Sequence, residues 1–117
     1  MSQPDFVVQD FVRRDRVATG SVAIPSESPW FSGHFPEFPI LPGVAQIRVA
    51  HELLEKALEH PVRLVGIVRL KFATRVGAGT RLAFRIEFDA AAGRSAWRFF
   101  DGPRAVSQGE FRFAAEA

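Results

Sequence analysis

The clearest pattern in the chain is a strict two-residue alternation between positions 81 and 89. Apolar side chains occupy every second position of this segment: Leu82, Phe84, Ile86 and Phe88. This period is typical of a strand with one buried and one solvated face. We predict further strands over Val62–Val76, Ser95–Phe100 and Arg104–Phe113, with a hairpin turn at 101–103. The first of these strands is expected to bury four side chains: Leu64, Val68, Leu70 and Phe72.

A pattern of helical period covers Gly43–Leu58. Its apolar residues recur mostly at spacings of three and four: Ile47, Ala50, Leu54, Ala57 and Leu58. Polar residues share another stripe: Arg48, Glu52, Glu55 and Glu59. His60-Pro61 ends this helix, because the residue before a proline is pushed out of the helical region. Nearer the N-terminus, we predict two shorter strands over Phe6–Arg13 and Arg16–Ile24.

A proline-rich segment joins the early strands to the helix. Positions 25–42 hold five of the eight prolines, and proline lacks the amide hydrogen that regular structure needs. The segment is too apolar for a solvated loop, and long irregular segments in compact domains are usually functional. The predicted order is two strands, this loop, one helix and four antiparallel strands. We interpret it as a single α+β domain over residues 1–117, with the sheet laid against one helix.

The composition excludes several classes of function. The chain has 117 residues, 47% of them hydrophobic, and a net charge of +2 without the dense basic tract of a nucleic-acid-binding protein. Because there is no cysteine, disulfides, thiolate catalysis and cysteine-based metal sites are excluded. No apolar run approaches the roughly 18 residues of a membrane span. The N-terminus does not resemble a secretory signal, so we expect a cytoplasmic protein.

The most specific motif lies at the end of the proline-rich segment, which reads FSGHFPEFPILPGV over Phe31–Val44. It closely resembles the G-H-F-P-x-x-P-ϕ-x-P-G-V signature of the β-hydroxyacyl-[acyl carrier protein] dehydratases, the FabZ and FabA type. A second segment, Leu70–Leu82, resembles the K-F-x-x-P-V-x-P-G-D-x-L motif of the same family. Here the two prolines and the acid of that motif are replaced by Arg75, Ala78 and Thr80.

The resemblance covers roughly residues 16–113 and implies the hot-dog fold, in which an antiparallel β-sheet wraps around one central α-helix. In that family two protomers pair, and each active site lies at the dimer interface around a narrow acyl tunnel. The implied substrate is an acyl thioester on acyl carrier protein or coenzyme A, with no cofactor and no metal. We expect a homodimer or higher homo-oligomer, without nucleic-acid or membrane partners. The segment Pro42–Gln46, through its glutamine, further resembles the ApeI-like subgroup of aryl-polyene-type pathways.

Dehydration of a 3-hydroxyacyl thioester needs a base at carbon 2, stabilisation of the enolate oxygen and an acid for the leaving hydroxyl. His34 is the candidate base, because imidazole titrates near working pH; the alternative is a buried structural histidine. Gly43, nine residues later as in the family, opens the helix and is the candidate oxyanion donor, or simply permits a tight turn. The motif residues Phe35, Pro42 and Val44 are interpreted as substrate-binding.

The acid of the family motif is missing. Family members carry Glu or Asp five residues after this glycine, where this chain has Arg48, and a guanidinium cannot usefully donate a proton near neutral pH. One interpretation is a plain ion pair between Arg48 and Glu52 along the helix. In others, Glu52 replaces the lost acid, or Arg48 binds an anionic group of the substrate. A second chain that supplies the acid, in a heterodimer, is also left open.

The remaining polar residues have simpler interpretations. His51 borders the apolar side of the helix and is interpreted as structural, and His60 as a helix-end residue. Two basic groups could receive the phosphopantetheine phosphate or an acidic carrier protein, although we favour a solvated sheet face for both: Arg13, Arg14 and Arg16, or Arg69 and Lys71.

Three functions therefore compete. They are a 3-hydroxyacyl-thioester dehydratase of fatty-acid or related lipid and polyene biosynthesis, a catalytically weakened acyl-thioester-binding or partner subunit, and a thioesterase on the same fold. We favour the dehydratase, because His34 and Gly43 are both present.

Overall fold

The computed structural model describes residues 5–31 and 40–115. Six strands and one α-helix follow one another: β1 (Val7–Arg14), β2 (Val17–Ala23), α1 (Gly43–Leu58), β3 (Val62–Phe72), β4 (Arg81–Asp89), β5 (Arg94–Asp101) and β6 (Arg104–Ala115). A single 3₁₀ turn covers Pro29–Phe31, at the end of the first described range. The Trp30 ring of this turn stacks on Phe6 with centroids 5.8 Å apart. The predicted order of elements is confirmed, and β1 and β2 lie within one residue of their predicted bounds.

All strands pair antiparallel in one sheet of order β1-β2-β4-β5-β6-β3. The helix packs against one face of this sheet, where the apolar side chains of both form the core. Strand β4 at its centre buries the alternating residues of the sequence pattern. The expected α+β hot-dog architecture is thereby confirmed. Within the described residues, no helix has the length and apolarity needed to cross a membrane.

The helix α1 has the bounds that its sequence pattern predicts. Pro42 is the N-cap residue and provides no side-chain cap. At the other end, Glu59 adopts the left-handed conformation (φ 64°) and its amide donates to the Glu55 carbonyl at 2.8 Å. One face of the helix is buried: Ala45, Gln46, Val49, Ala50, Leu53, Leu54 and Ala57. Gln46 is the polar residue in this otherwise apolar face.

A tight aromatic layer lies under the helix. The Trp97 ring stacks on Phe111 with centroids 4.6 Å apart, and both are almost fully buried. Gly109 of β6 lies opposite Trp97, and a Cβ there would come within 2.3 Å of the indole ring. A glycine at this position therefore lets the large ring lie flat against the neighbouring strand.

Strand β3 departs from its prediction in length and in burial. It ends at Phe72 rather than Val76, and three of the residues predicted to be buried, Val68, Leu70 and Phe72, are exposed by 38%, 43% and 44%. The strand lies at the edge of the sheet, so one side has no partner strand among the residues that the structure describes. Register shifts interrupt its pairing with β6, and Arg69 has φ 54°, so a simple period of two does not describe it.

The start of β3 is fastened to the helix by polar side chains. The Val62 amide donates to the Glu55 carboxylate at 2.8 Å, and His51 Nε2 donates to the Val62 carbonyl at 2.9 Å. His51 also contacts the Phe111 ring edge-on, with centroids 6.3 Å apart. These contacts agree with the structural interpretation of His51.

Candidate active site

The first turn of α1 presents unused backbone donors. The amides of Ala45 and Gln46 both donate to the Pro42 carbonyl, at 3.1 and 3.2 Å. The amides of Gly43 and Val44 precede this bond and so have no acceptor within the helix. Pro42 gives them no side-chain cap. Among the described residues no group accepts from these two N–H groups, which together with the positive end of the helix dipole suit a negatively charged oxygen.

A cleft of about 430 Å³ begins at this turn. It lies between the start of α1 and the residues that follow β3, and it is lined by Ile40, Leu41, Gly43, Gln46, Phe72, Ala73, Thr74 and Arg75. The Leu41 amide donates to the Val76 carbonyl at 2.8 Å, and Ile40 forms a bridge to Gly77. These backbone contacts hold the end of the proline-rich segment against the far wall of the cleft.

The Phe72 ring covers the site of the missing Gly43 side chain. A Cβ built on Gly43 would lie 2.7 Å from Phe72 Cζ and 3.0 Å from the next ring carbon. No side chain fits between the helix and this ring unless the ring moves. The absence of a Cβ also lets a ligand oxygen approach the Gly43 amide closely.

Gln46 contributes the one buried amide side chain of the described cleft. It is only 3% exposed, and its Oε1 has no hydrogen-bond partner among the described residues. Sequence reasoning treated Gln46 only as a subgroup marker and missed it as a site residue. The available signal was its position, one helical turn after Gly43 on the predicted helix.

Arg48 and Glu52 lie elsewhere on the helix. Arg48 Nε is 3.9 Å from Glu52 Oε1, and both side chains are largely solvent-exposed, which agrees with an i, i+4 ion pair. Neither lines the cleft. Nine residues after Gly43, Glu52 lies about 14 Å further along the axis and half a turn around it. The structure therefore does not bring Glu52 together with the Gly43 amide of the same chain.

The structure describes only two of the four other predicted site residues. His34 and Phe35 lie outside the described residues. Pro42 is the half-buried N-cap residue of α1, and Val44 is 75% exposed on its first turn.

Several of the candidate phosphate-binding cations have partners within the chain. Arg69 Nη1 donates to the Glu110 carboxylate at 2.8 Å, and this hydrogen bond lowers the pKa of Glu110 below its ordinary value. The same bond raises the pKa of Arg69. Arg16 lies 3.7 Å from Asp89, and the Arg13 guanidinium stacks over the Phe88 ring. These contacts favour a structural interpretation of all three arginines.

Across residues 5–31 and 40–115, no group of three His, Asp or Glu side chains is arranged to hold a metal ion. The polar groups of the residues that line the cleft are backbone amides, the Gln46 carboxamide, the Thr74 hydroxyl and the Arg75 guanidinium, which suit an organic ligand with oxygen atoms better than a metal.

Comparison with known proteins shows a consistent relationship. The model of the ApeI-like family, described as ApeI dehydratase, matches residues 11–110. The 3-hydroxyacyl-[acyl-carrier-protein] dehydratase FabZ of Chlamydia muridarum is 35% identical over 116 aligned positions, which cover 89% of this chain and 74% of that protein. FabZ of Natranaerobius thermophilus is 28% identical over 107 positions, covering 83% of this chain and 75% of the relative.

Solved structures give the same result at the level of fold. The dehydratase heterocomplex ApeI:P from Xenorhabdus doucetiae contains a chain with TM-score 0.84 and 25% identity, with 92% of this chain and 96% of that chain covered. An uncharacterized protein from Erwinia carotovora subsp. atroseptica has TM-score 0.74 and 23% identity, with 93% of each chain covered. The second likeness concerns the fold alone.

Proposed function

This chain belongs to the ApeI-like dehydratase family, and we propose that it removes water from 3-hydroxyacyl thioesters carried on acyl carrier protein or coenzyme A. The observation that carries this proposal is the first turn of α1, where Gly43, whose amide has no acceptor within the helix, lines the cleft. The FabZ relatives are named for this reaction. A binding subunit without activity and a thioesterase are less favoured, because the relatives and the structural neighbour that carry an activity in their names are dehydratases.

The reaction requires three functions. A base takes the proton from carbon 2 of the acyl chain, and the electron pair of the broken C–H bond forms the carbon 2–carbon 3 double bond. The hydroxyl group leaves carbon 3 with a proton from an acid, as water. Charge develops on the thioester oxygen between these events. We assign the base role to His34, whose imidazole can accept a proton near neutral pH.

Stabilisation of the thioester oxygen falls to the first turn of α1. The amides of Gly43 and Val44 have no acceptor within the helix, and the helix dipole adds to their effect. Donors already in position when the charge develops lower the barrier without reorganisation. Phe72 shields this turn from one side, which strengthens the electrostatic effect by excluding water.

We propose Glu52 as the acid, acting in the cleft of a second chain. Its distance along α1 and its position on the opposite side of the helix exclude the cleft of its own chain. Its carboxylate is partly exposed and held only by a long contact with Arg48 at 3.9 Å. Glu55, in contrast, is held by the Val62 amide. Of these helix carboxylates, Glu52 is thus the one free to serve a neighbouring chain.

The second chain is proposed to pair through β3. Among the described residues this edge strand has no partner on one side, and it exposes apolar side chains along its length: Val65, Ile67, Val68, Leu70 and Phe72. An edge strand that exposes this many apolar side chains can act as a template for pairing with another strand. We propose a homodimer as the basic unit. The related complex from Xenorhabdus doucetiae is described as a heterocomplex, so a related subunit is the alternative partner.

The test is turnover of 3-hydroxyacyl thioesters from butyryl to decanoyl length, followed by enoyl product formation. We expect activity in the wild type, and a loss of at least about 100-fold in His34→Ala and Glu52→Gln. Glu59→Gln, at the exposed C-cap of α1, is the matched control and should be unchanged. An inactive wild type that gains activity on Arg48→Glu would identify a binding subunit. Release of free thiol without enoyl product would identify a thioesterase.

Mixing the two inactive variants tests whether each site is shared between chains. If His34 and Glu52 act from different protomers of a two-fold dimer, half of the re-assorted dimers contain one intact site. Activity should then return to about a quarter of the wild-type value. If subunit exchange is demonstrated and activity does not recover, the assignment of Glu52 is contradicted.

A further inference from the structure

Gln46 carries one of six buried side-chain polar atoms that have no hydrogen-bond partner among the described residues, and of these six residues it is the one that lines the cleft. Its side chain lies on the buried face of α1, it is 3% exposed, and its Oε1 has no hydrogen-bond partner among the described residues. A buried acceptor without a donor destabilises a fold, whereas an apolar side chain of similar shape is tolerated well at such a position. The position therefore carries a polar group that the packing does not require.

Gln46 lines the same cleft as Gly43. It follows Gly43 by three residues, so the two lie on adjacent turns of the helix and line one wall. Gln46 is also deeper than the first turn, because Val44 is 75% exposed and Gln46 is buried. A ligand whose oxygen binds at Gly43 thus extends inward past Gln46, while its carrier remains on the solvent side.

We propose that the Gln46 Oε1 accepts a hydrogen bond from the 3-hydroxyl group of the substrate. This inference rests on the proposed function. In a 3-hydroxyacyl thioester the hydroxyl-bearing carbon is two bonds from the carbonyl carbon. Both oxygens therefore fit within the length of one helical turn, about 5.4 Å. The hydroxyl is the O–H donor on this part of the acyl chain. Gln46 is therefore a specificity-determining residue that distinguishes 3-hydroxyacyl from saturated acyl thioesters.

The chemistry of the amide suits recognition and not proton transfer. A carboxamide carries no titratable proton in the working range of pH, so Gln46 does not replace the missing acid. Its carbonyl oxygen accepts a hydrogen bond at any pH. An analogue without the hydroxyl leaves this buried acceptor unpaired, which is the strongest way in which a site rejects a ligand that lacks one polar group.

The test compares two unreactive ligands, 3-hydroxyhexanoyl and hexanoyl pantetheine, each with the thioester replaced by an amide. Calorimetric titration gives both dissociation constants, and thermal unfolding is measured on the same samples. The variants are Gln46→Leu and Gln46→Met, and Gln9→Leu on β1 is the control far from the cleft. We expect the wild type and the control to prefer the hydroxylated ligand about tenfold, and both Gln46 variants to lose this preference. The melting temperature should stay equal or rise.

Each other outcome overturns the inference in a distinguishable way. Equal weakening of both ligands would assign Gln46 to the pantetheine amide or to the shape of the cleft. A fall in melting temperature in both variants would mean that Gln46 is paired within the folded chain. A wild type that binds both ligands equally would reject the role of Gln46 and leave the proposed function intact. A wild type that binds neither ligand would reject both.

Discussion

At the scale of single residues, Gly43 combines packing with chemistry. Its missing side chain lets the Phe72 ring lie against the helix, and it also leaves the amide accessible to a ligand. As the first residue of α1 it has no need of the conformational freedom of glycine, since an alanine fits the helical backbone there. The reasons for glycine are therefore the ring and the ligand.

A substitution can separate these two reasons. Gly43→Ala places a Cβ 2.7 Å from Phe72 Cζ, and we expect the half-exposed ring to move while the fold is kept. The melting temperature should change by only a few degrees, because alanine is a better helix former. The added Cβ also keeps the ligand oxygen away from the Gly43 amide. Turnover should therefore fall about 100-fold, as it does when one oxyanion donor is lost. The double variant Gly43→Ala/Phe72→Leu removes the clash. Recovered turnover in this variant would contradict the role of the amide.

Sequence information at this scale is uneven. The spacing of Arg48 and Glu52 predicted the ion pair that the structure contains. The motif indicated His34 as the catalytic base. This role stays a prediction, because the residue lies outside the described ranges. The position of Gln46 one helical turn after Gly43 was the available signal, but its unpaired oxygen could not be predicted, because a pattern of apolar positions gives no information about whether a particular side-chain oxygen finds a donor. That depends on how separate segments meet in space.

At the scale of elements, prediction succeeded where one face is buried. The bounds of α1 and the alternation of β4 followed directly from their periods, because each element has a core side and a solvent side. The burial pattern of β3 was predicted wrongly for the opposite reason. It is an edge strand with two register shifts, and apolar residues occur on both of its faces. The proposed pairing of two chains through β3 would explain this composition.

The aromatic layer between β5 and β6 gives a prediction at the same scale. Gly109→Ala would force a Cβ to within 2.3 Å of the Trp97 ring, and the strands cannot separate without loss of their pairing. We expect a loss of about 1–3 kcal/mol in the free energy of unfolding, measured by urea denaturation. Gly66→Ala on β3 is the matched control, since its nearest contact is an ordinary 3.7 Å to Arg112. Equal destabilisation of both variants would contradict this account.

At the scale of the whole molecule, the two edges of the sheet differ in their apolar character. The β3 edge exposes five large apolar residues, with Arg69 and Lys71 among them, whereas β1 at the other edge exposes two, Val7 and Val12. Long apolar edges are unusual in a protein that stays monomeric. The proposed assembly through β3 would cover this surface.

Lysine substitutions at the two edges test the assembly. Leu70→Lys on β3 should shift the chain towards monomer, with the dimer dissociation constant raised at least about tenfold, and should lower turnover in parallel. Val12→Lys on β1 is the matched control, because its exposure of 46% is close to the 43% of Leu70. Analytical ultracentrifugation measures both. If Val12→Lys dissociates the assembly and Leu70→Lys does not, the chains pair through the other edge.

The placement of the two tryptophans gives the protein a pair of built-in optical reporters. The chain has no tyrosine, so its near-ultraviolet emission comes from Trp30 and Trp97 alone. Trp97 is sealed against Phe111 in the core, and its spectrum changes only when the core opens. Trp30 is half-buried against Phe6, immediately before the segment that carries His34. A Trp97→Phe variant would therefore leave a single fluorophore beside that segment, and a Trp30→Phe variant would leave one that follows unfolding.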